Sequence, residues 1–455
     1  MNQVIEPPKV ISPWNQLEEQ FGQIAEAINS ACAGQAQFTL TLLAEDSQFV
    51  RFNQAKVRQT GFVQDAVARL TLMQADRSAY WEFPMTGTGL DREMAMTALH
   101  QLQQELPQLP INPYLVIPTG GAKSHETHIG QLLSPESVPG VILSLVADLD
   151  FTGIYSAGQL LRGYADSAGQ RHWFATDNYS LDYSIFTDQG QALKGTIAGK
   201  VWDDAQYQRQ IQAARVQLKR LSMAPKKLPR GQYRTYFAPA AVAEITSMLS
   251  WGGVSEASYR QGGSCFAPMR RGGRRLSEKL SFGENFAQSA VPRFNELGEV
   301  APPKVPIVTA GELTQLLVAS ATAKEYGLTA NGANGDETLR ALEIAPGEIP
   351  TDEVLRVLGT GLYVANLHYL NWSDRPTGRI TGMTRYACFW VEDGQIVAPI
   401  EHLRFDESLY RFWGENLVGF TDEQVLVPEV GTYGHRAIGG VLTPGMIVDK
   451  FTYTL

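Results

Sequence analysis

The chain has 455 residues, 44% hydrophobic and 19% charged, which describes a globular protein able to bury more than one core and excludes disorder as its main state. Its 38 basic and 47 acidic residues leave a net charge of −9, a field that repels a phosphate backbone and makes nucleic acid a poor partner. Three widely separated cysteines, Cys32, Cys265 and Cys388, exclude a disulfide framework and a cysteine zinc cluster and suit a reducing cytoplasm.

The opening MNQVIEPPKVISPWNQ has neither a basic n-region nor an apolar h-region, and no window approaches 18 apolar residues. The expectation is a cytoplasmic chain with no cleavable signal and no membrane span. Leu17, Phe21, Ile24 and Ile28 recur at helical spacing and predict an amphipathic helix over 14–31. FTLTLLAE, QFVRFN, VRQTGFV, AVARLTLM and SAYWEFP then read as an antiparallel meander of about five short strands. Residues 88–106 return to a helical period through Met94, Leu99 and Leu102, and Pro107 and Pro110 stop it.

From 137 to 200 the segments VILSLVADLD, QLLRGYAD, RHWFATDN, YSLDYSIFT and GTIAGKVW read as strands, followed by a polar helix over 203–222. Strands and helices come in blocks without βαβ alternation, so the class is α+β. The basic, proline-bearing APKKLPRGQYR places a boundary at 224. It separates an N-terminal α+β domain, 1–223, with an antiparallel sheet and packed helices, from a β-rich C-terminal domain, 224–455. A helix is expected over 238–251, then a glycine-rich basic stretch, then strands to the end.

Two local clusters hold chemistry-bearing residues. His125, Glu126 and His128 set two imidazoles three apart, which on a helix share a face and make a zinc pair possible. The glycine, serine and proline flanks read instead as a surface loop, and the spacing differs from H-E-x-x-H. Arg270, Arg271, Arg274 and Arg275 form a dense basic patch that suits an acidic peptide or a C-terminal carboxylate. With Glu278, Glu284 and Glu296 nearby, it also reads as a solvated mixed-charge loop. His100, His172, His368, His402 and His435 are isolated in sequence and read as packed or surface residues, and Cys388 as a buried small hydrophobe. No dinucleotide fingerprint, P-loop or nucleophile elbow is present.

Several ordered stretches carry a likeness: YFAPAAVAEITSMLSWGGVSEASYRQGGSCF, PRFNELGEVAPPKVPIVTAGELTQLLVASATAKEYGLTANG, GTGLYVANLHYLNWSDRPTGRITGMTRYACFWVEDGQIVAPI and GGVLTPGMIVDKFTY. Through them residues 230–455 resemble the TldD/PmbA family. The resemblance implies two kinds of member: TldD-like subunits with zinc on an H-E-x-x-x-H helix plus a later cysteine, and TldE (PmbA) subunits that lack these and pair with TldD. Matching the family's pattern puts Ser247 and Gly252 in the histidine slots, Met248 in the glutamate slot and Val430 in the cysteine slot. Serine, glycine and valine do not hold Zn²⁺, and methionine is no general base.

The resemblance therefore implies a catalytically silent TldE-like subunit without its own cofactor. It implies a cytoplasmic heterodimer in which a TldD-like partner carries the zinc and unfolded or extended peptides are the substrate. The alternatives are a self-contained metallopeptidase using His125 and His128, or a regulatory binding protein.

Overall fold

In the computed structural model, which describes residues 13–454, three long strands stand where the pattern predicts five short ones. Residues 1–12, which hold most of the stretch read for a signal, lie outside the described residues. β1 (Gln37–Asn53) and β2 (Lys56–Gln74) run antiparallel along their whole length, and β3 (Arg77–Pro84) pairs with the second half of β2. The polar pairs expected to turn the chain instead sit inside the ladder, with Asp46 opposite Gln64 and Ser47 opposite Val63. The real turns are Gln54-Ala55 and Ala75-Asp76, all four at positive φ, the conformation of tight two-residue hairpins usually signalled by Asn-Gly.

β4 (Lys123–His128), β5 (Asp150–Asp166), β6 (Arg171–Phe186) and β7 (Ala192–Gly199) complete a seven-stranded sheet in the order β3-β2-β1-β5-β6-β4, with β7 also on β6. Its pairings are antiparallel except β4 on β6. α1 (Leu17–Cys32) and α2 (Leu90–Glu105) pack on it, burying Phe21, Ile24, Leu99 and Leu102 against Phe38, Leu40 and Leu70. VILSLV, expected as strand, starts in α3 (Val138–Leu143) and runs on as turn. Val138, Ile142 and Val146 are buried every four residues, a helical stripe that a β-rich composition disguises. α4 (Asp204–Leu221) closes over a second core with Tyr155, Leu181 and Tyr207.

One buried carboxylate fixes the entry to α2. Asp91 is fully buried and accepts from the Thr86 amide and hydroxyl, both at 2.7 Å, and the Gly87 amide at 2.8 Å. Replacing it with alanine orphans those donors, so Asp91→Ala is expected to cost about 2 kcal/mol in urea unfolding.

The strands after α4 form two further sheets. β8 (Gly231–Phe237) leads into α5 (Pro239–Ser247), α6 (Glu256–Arg260) and α7 (Ala267–Arg270). β9 (Phe282–Asn285), β10 (Lys304–Thr309) and β11 (Glu312–Leu313) follow, with α8 (Ser320–Tyr326), β12 (Leu342–Ile344) and α9 (Val354–Leu358). Next come β13 (Gly361–Val364), β14 (Asn366–Asp374), β15 (Arg379–Arg385), β16 (Phe389–Glu392), β17 (Gln395–Pro399) and β18 (Arg404–Ser408). The last are β19 (Leu417–Phe420), β20 (Val425–Pro428), β21 (Gly440–Thr443) and β22 (Met446–Tyr453).

A six-stranded sheet runs β11-β10-β9-β12-β21-β20, and a nine-stranded one β14-β15-β18-β22-β8-β13-β16-β17 with β19 on β22. One large core, including Phe237, Ile245, Phe266, Trp413 and Phe451, joins them. The fold is α+β, an N-terminal sheet with packed helices followed by a β-rich half. Among the described residues no helix is long and apolar enough to cross a membrane.

The halves clasp each other at two loops. Phe294 stacks on His172 at 5.1 Å, and the Gln170 amide donates to Leu297 O at 3.1 Å. From the loop between β20 and β21, buried Arg436 reaches β1. Its amide donates to the Glu45 carboxylate at 2.7 Å, and its guanidinium to Ser47 Oγ at 3.2 Å and to Asn178 O at 3.1 Å.

Candidate functional site

α5 is the element on which the family resemblance places a zinc helix, and it is shorter than the sequence predicts. Pro239 opens it, where a missing amide costs no helical hydrogen bond, and Ala241, Val242, Ile245 and Thr246 anchor its buried face. The α-helix stops at Ser247, Met248–Ser250 tighten into a 3-10 turn, and Gly252 takes φ +77°. Ser247 and Gly252 thus do not share a helical face. Ser247 is exposed and its hydroxyl donates to Glu244 O at 2.8 Å, while Met248 is buried.

The second histidine slot is physically filled. A Cβ at Gly252 would lie 2.7 Å from Arg375 Nη1, 3.0 Å from Ser258 Oγ and 3.2 Å from Arg375 Cζ. The same guanidinium donates to Trp251 O at 2.8 Å, and a Cβ at Gly263 would meet its other nitrogen at 2.7 Å. A zinc ion does not fit here: the positions offer a hydroxyl, a buried thioether, no side chain and an adjacent cation. Among the described residues no three His, Cys, Asp or Glu side chains are grouped to hold a metal ion.

Val430 lines a different cleft from Ser247 and Met248. It follows β20 and faces an interdomain cavity of about 300 Å³ shared with His128, Asn178, Lys200, Ser289 and Arg436. Ser247 and Met248 border a second cavity of about 300 Å³ between α5, β7 and the β14–β15 hairpin, with Lys194, Glu244, Trp251, His368 and Arg385. Burial pushes the Glu244 carboxyl up to about 7, against the opposing pull of Lys194 and Arg385. Burial and the charges of Arg385 and His402 push the His368 imidazole down. Glu244 and Arg385 escape a reading of the sequence, since nothing local marks a glutamate inside an alanine-rich helix or an arginine in a strand as facing a cavity, and so does Arg375, which reaches Gly252 from the turn after β14. His368, isolated in sequence, joins them only in the fold.

The His125 cluster is a strand and not the expected loop: β4 pairs in parallel with β6 from Lys123 to His128. Residues three apart on a strand point to opposite faces, so His125 and His128 are separated by the sheet. His125 Nε2 lies 3.1 Å from Glu18 on α1, whereas His128 packs on Phe174 at 5.4 Å with Glu126 at 3.8 Å.

In the basic patch, Arg270 pairs with buried Glu256 at 2.6 Å and stacks on Tyr259, and Arg275 pairs with Glu312 at 2.9 Å. Arg271 and Arg274 have no ion-pair partner among the described residues. Arg270, Arg274 and Arg275 border a polar hollow of about 400 Å³, from which Arg271 is absent. The acidic partners are Glu256 and Glu312, while Glu284 is buried and accepts from the Arg340 amide at 2.7 Å. Burial pushes the Cys388 thiol up to about 11, as a packed, unreactive cysteine requires.

Residues 230–455 match the family model described as the PmbA/TldA metallopeptidase C-terminal domain. The chain is 25% identical over 304 residues to Metalloprotease PmbA of Escherichia coli O157:H7, a match spanning 65% of this chain and 63% of that protein, less than two thirds of the relative's length. A crystal structure described as a modulator of a DNA gyrase from Thermotoga maritima superposes with TM-score 0.77 at 13% identity, covering 95% of this chain and all of that one. TldE from Thermococcus kodakarensis gives TM-score 0.74 at 11% identity, covering 97% of this chain and all of that one. A modulator of DNA gyrase from Bacteroides thetaiotaomicron gives 0.76 at 14%, covering 96% of this chain and 99% of that one. At these identities the three structures establish the fold alone.

Proposed function

The chain belongs to the TldD/PmbA family through residues 230–455, and from that premise we propose that it is a TldE-like, non-catalytic subunit of a zinc metalloprotease complex. The observation that carries this reading is what stands where a zinc helix needs imidazoles and a carboxylate: the hydroxyl of Ser247, buried Met248, and Gly252 at positive φ with the Arg375 guanidinium beside it. A TldD-like partner would hold the zinc, which would supply an activated water for peptide hydrolysis. This subunit's contribution is to hold the substrate.

Extended, unfolded peptide is the substrate class, and the N-terminal sheet supports it. β3 pairs β2 from Val67 onward and Met85 N–H still reaches Ala66 O, so β2 from Lys56 to Asp65 leaves its outer edge unpaired among the described residues. A free strand edge binds an extended peptide through its main chain, with little regard for sequence. A cytoplasmic location suits the three cysteines, which are buried and free. The self-contained metallopeptidase on His125 and His128 has the sheet between its ligands against it.

The test is reconstitution. The purified chain is expected to cleave no unfolded protein such as casein and to carry no stoichiometric zinc by elemental mass spectrometry. Adding it to a TldD-like partner is expected to raise peptidase activity at least about tenfold. Equal partner activity with and without this chain would sink the proposal.

A further inference from the structure

The cleft bordered by Glu244, Ser247, Trp251, His368, Tyr369, Arg385 and Tyr386 is built for more than closing over a lost metal site. Among the described residues Arg385 has no ion-pair partner; its guanidinium lies 4.7 Å over the Tyr386 ring. The cleft's other cation, Lys194, is already 3.3 Å from Asp182. One half-buried guanidinium therefore faces the cavity without an ion pair, answered only by the pull of the Glu244 carboxyl across the cleft, which leaves its donors open to an anion.

The aromatic walls are held in backbone conformations that side-chain-bearing residues rarely adopt. Tyr369 has φ +53° and Tyr386 φ +62°, and Tyr369 sits where the β14–β15 register shifts between His368 and Asn371. Bulges of this kind re-aim side chains beside binding sites, and left-handed tyrosines persist only where the surroundings over-determine them. Tyr369 is 75% exposed with its ring 3.7 Å from that of His368, and Trp251 is 55% exposed on the same rim. Large aromatic surface left in water beside an unpaired cation suits a ligand with an apolar body and an anionic end.

We propose that this cleft is a carboxylate-binding subsite: Arg385 holds the carboxylate of a peptide, and Trp251 and Tyr369 cover the adjoining side chain. The peptide identity rests on the function proposed above, whereas the carboxylate chemistry rests on the cleft. Glu244 is the group a bound carboxylate would oppose. Lys194 from β7 and Arg385 from β15 act on it, and His368 from β14 lines the same cleft. Burial pushes the Glu244 carboxyl up to about 7, so a bound carboxylate favours its neutral form, and binding is expected to take up a proton and to tighten as pH falls from about 8 to about 6.

Calorimetric titration of the full chain tests this with N-acetylated Ala-Ala-Ala-Ala-Leu as free acid, the same peptide as C-terminal amide, and an amide with glutamate at the central position. The free acid is expected to bind at least about tenfold tighter than the plain amide. Binding of the glutamate amide as tight as the free acid assigns the site to carboxylates of either origin; weak binding assigns it to the chain terminus. Arg385→Gln is expected to erase the acid-to-amide difference at unchanged melting temperature, with Arg385→Lys restoring part of it. Glu244→Gln, which leaves the arginine in place, is expected to remove the pH dependence. Equal binding of free acid and amide, no binding of any peptide, or wild-type affinity in Arg385→Gln overturns the proposal. No partner subunit enters these titrations, so their failure and a failure of partner activation are read separately.

Discussion

Arg436→Ala is expected to lose about 3 kcal/mol of stability, read as a lower urea midpoint, because it strips the buried clasp between the two halves of the chain. Arg436 is 4% exposed and enters the N-terminal sheet beside Glu45, Ser47 and Asn178, all contributed by strands of that sheet. Burial alone holds its guanidinium down at about 10, with Glu45 pulling the other way, so the site tolerates the charge only through its partners. Truncation leaves Ser47 and Asn178 facing a cavity and removes a cation from Glu45, itself 3% exposed. The Arg436 amide still reaches Glu45, which keeps the expected cost below that of an isolated buried carboxylate. Arg436→Lys keeps charge but not the fork of donors and is expected to fall between the two. An unchanged urea midpoint in Arg436→Ala would show that the clasp contributes nothing.

Glu45 and Ser47 also explain where the sequence is legible. α1 and α2 follow from helical spacing of apolar residues, which depends on neighbours within one turn, and α4 from a polar stretch read as a helix. The middle of β1 reads as a turn because Asp46-Ser47 is polar, yet Ser47 and the adjacent Glu45 are answered by Arg436 from the far end of the chain and Asp46 by Gln64 on β2. The turns that do exist carry Gln54, Ala55 and Ala75 at positive φ, residues with no turn signature. In the site, Ser247, Met248, Gly252 and Val430 can be named from family pattern, but not what surrounds them. Arg375 reaches Trp251 across 124 positions, and the strand at His125 becomes visible only through its pairing with β6. Local spacing predicts local structure; a cleft assembled from β7, α5, β14 and β15 leaves no local trace.

Gly252→His is expected to destabilise the chain by about 3 kcal/mol and to bind no zinc, alone or combined with Ser247→His. A side chain at φ +77° costs about 1–2 kcal/mol before any contact is counted. Its Cβ then meets Arg375 Nη1 at 2.7 Å and Ser258 Oγ at 3.0 Å, so the guanidinium, the mobile end of its side chain, has to shift and its bond to Trp251 O is strained. Gly252→Ala is expected to show most of the same loss, because the conflict begins at Cβ. Adding Arg375→Gln to Gly252→His is expected to return part of the stability, a coupling that strain elsewhere would not produce. Elemental analysis of the Ser247→His, Gly252→His chain supplies the second reading: Met248 and Val430 still offer neither base nor ligand, and Arg375 still places a positive charge at the would-be metal. Stoichiometric zinc in that double variant, or wild-type stability in Gly252→His, would remove the steric and electrostatic ground for calling this subunit silent.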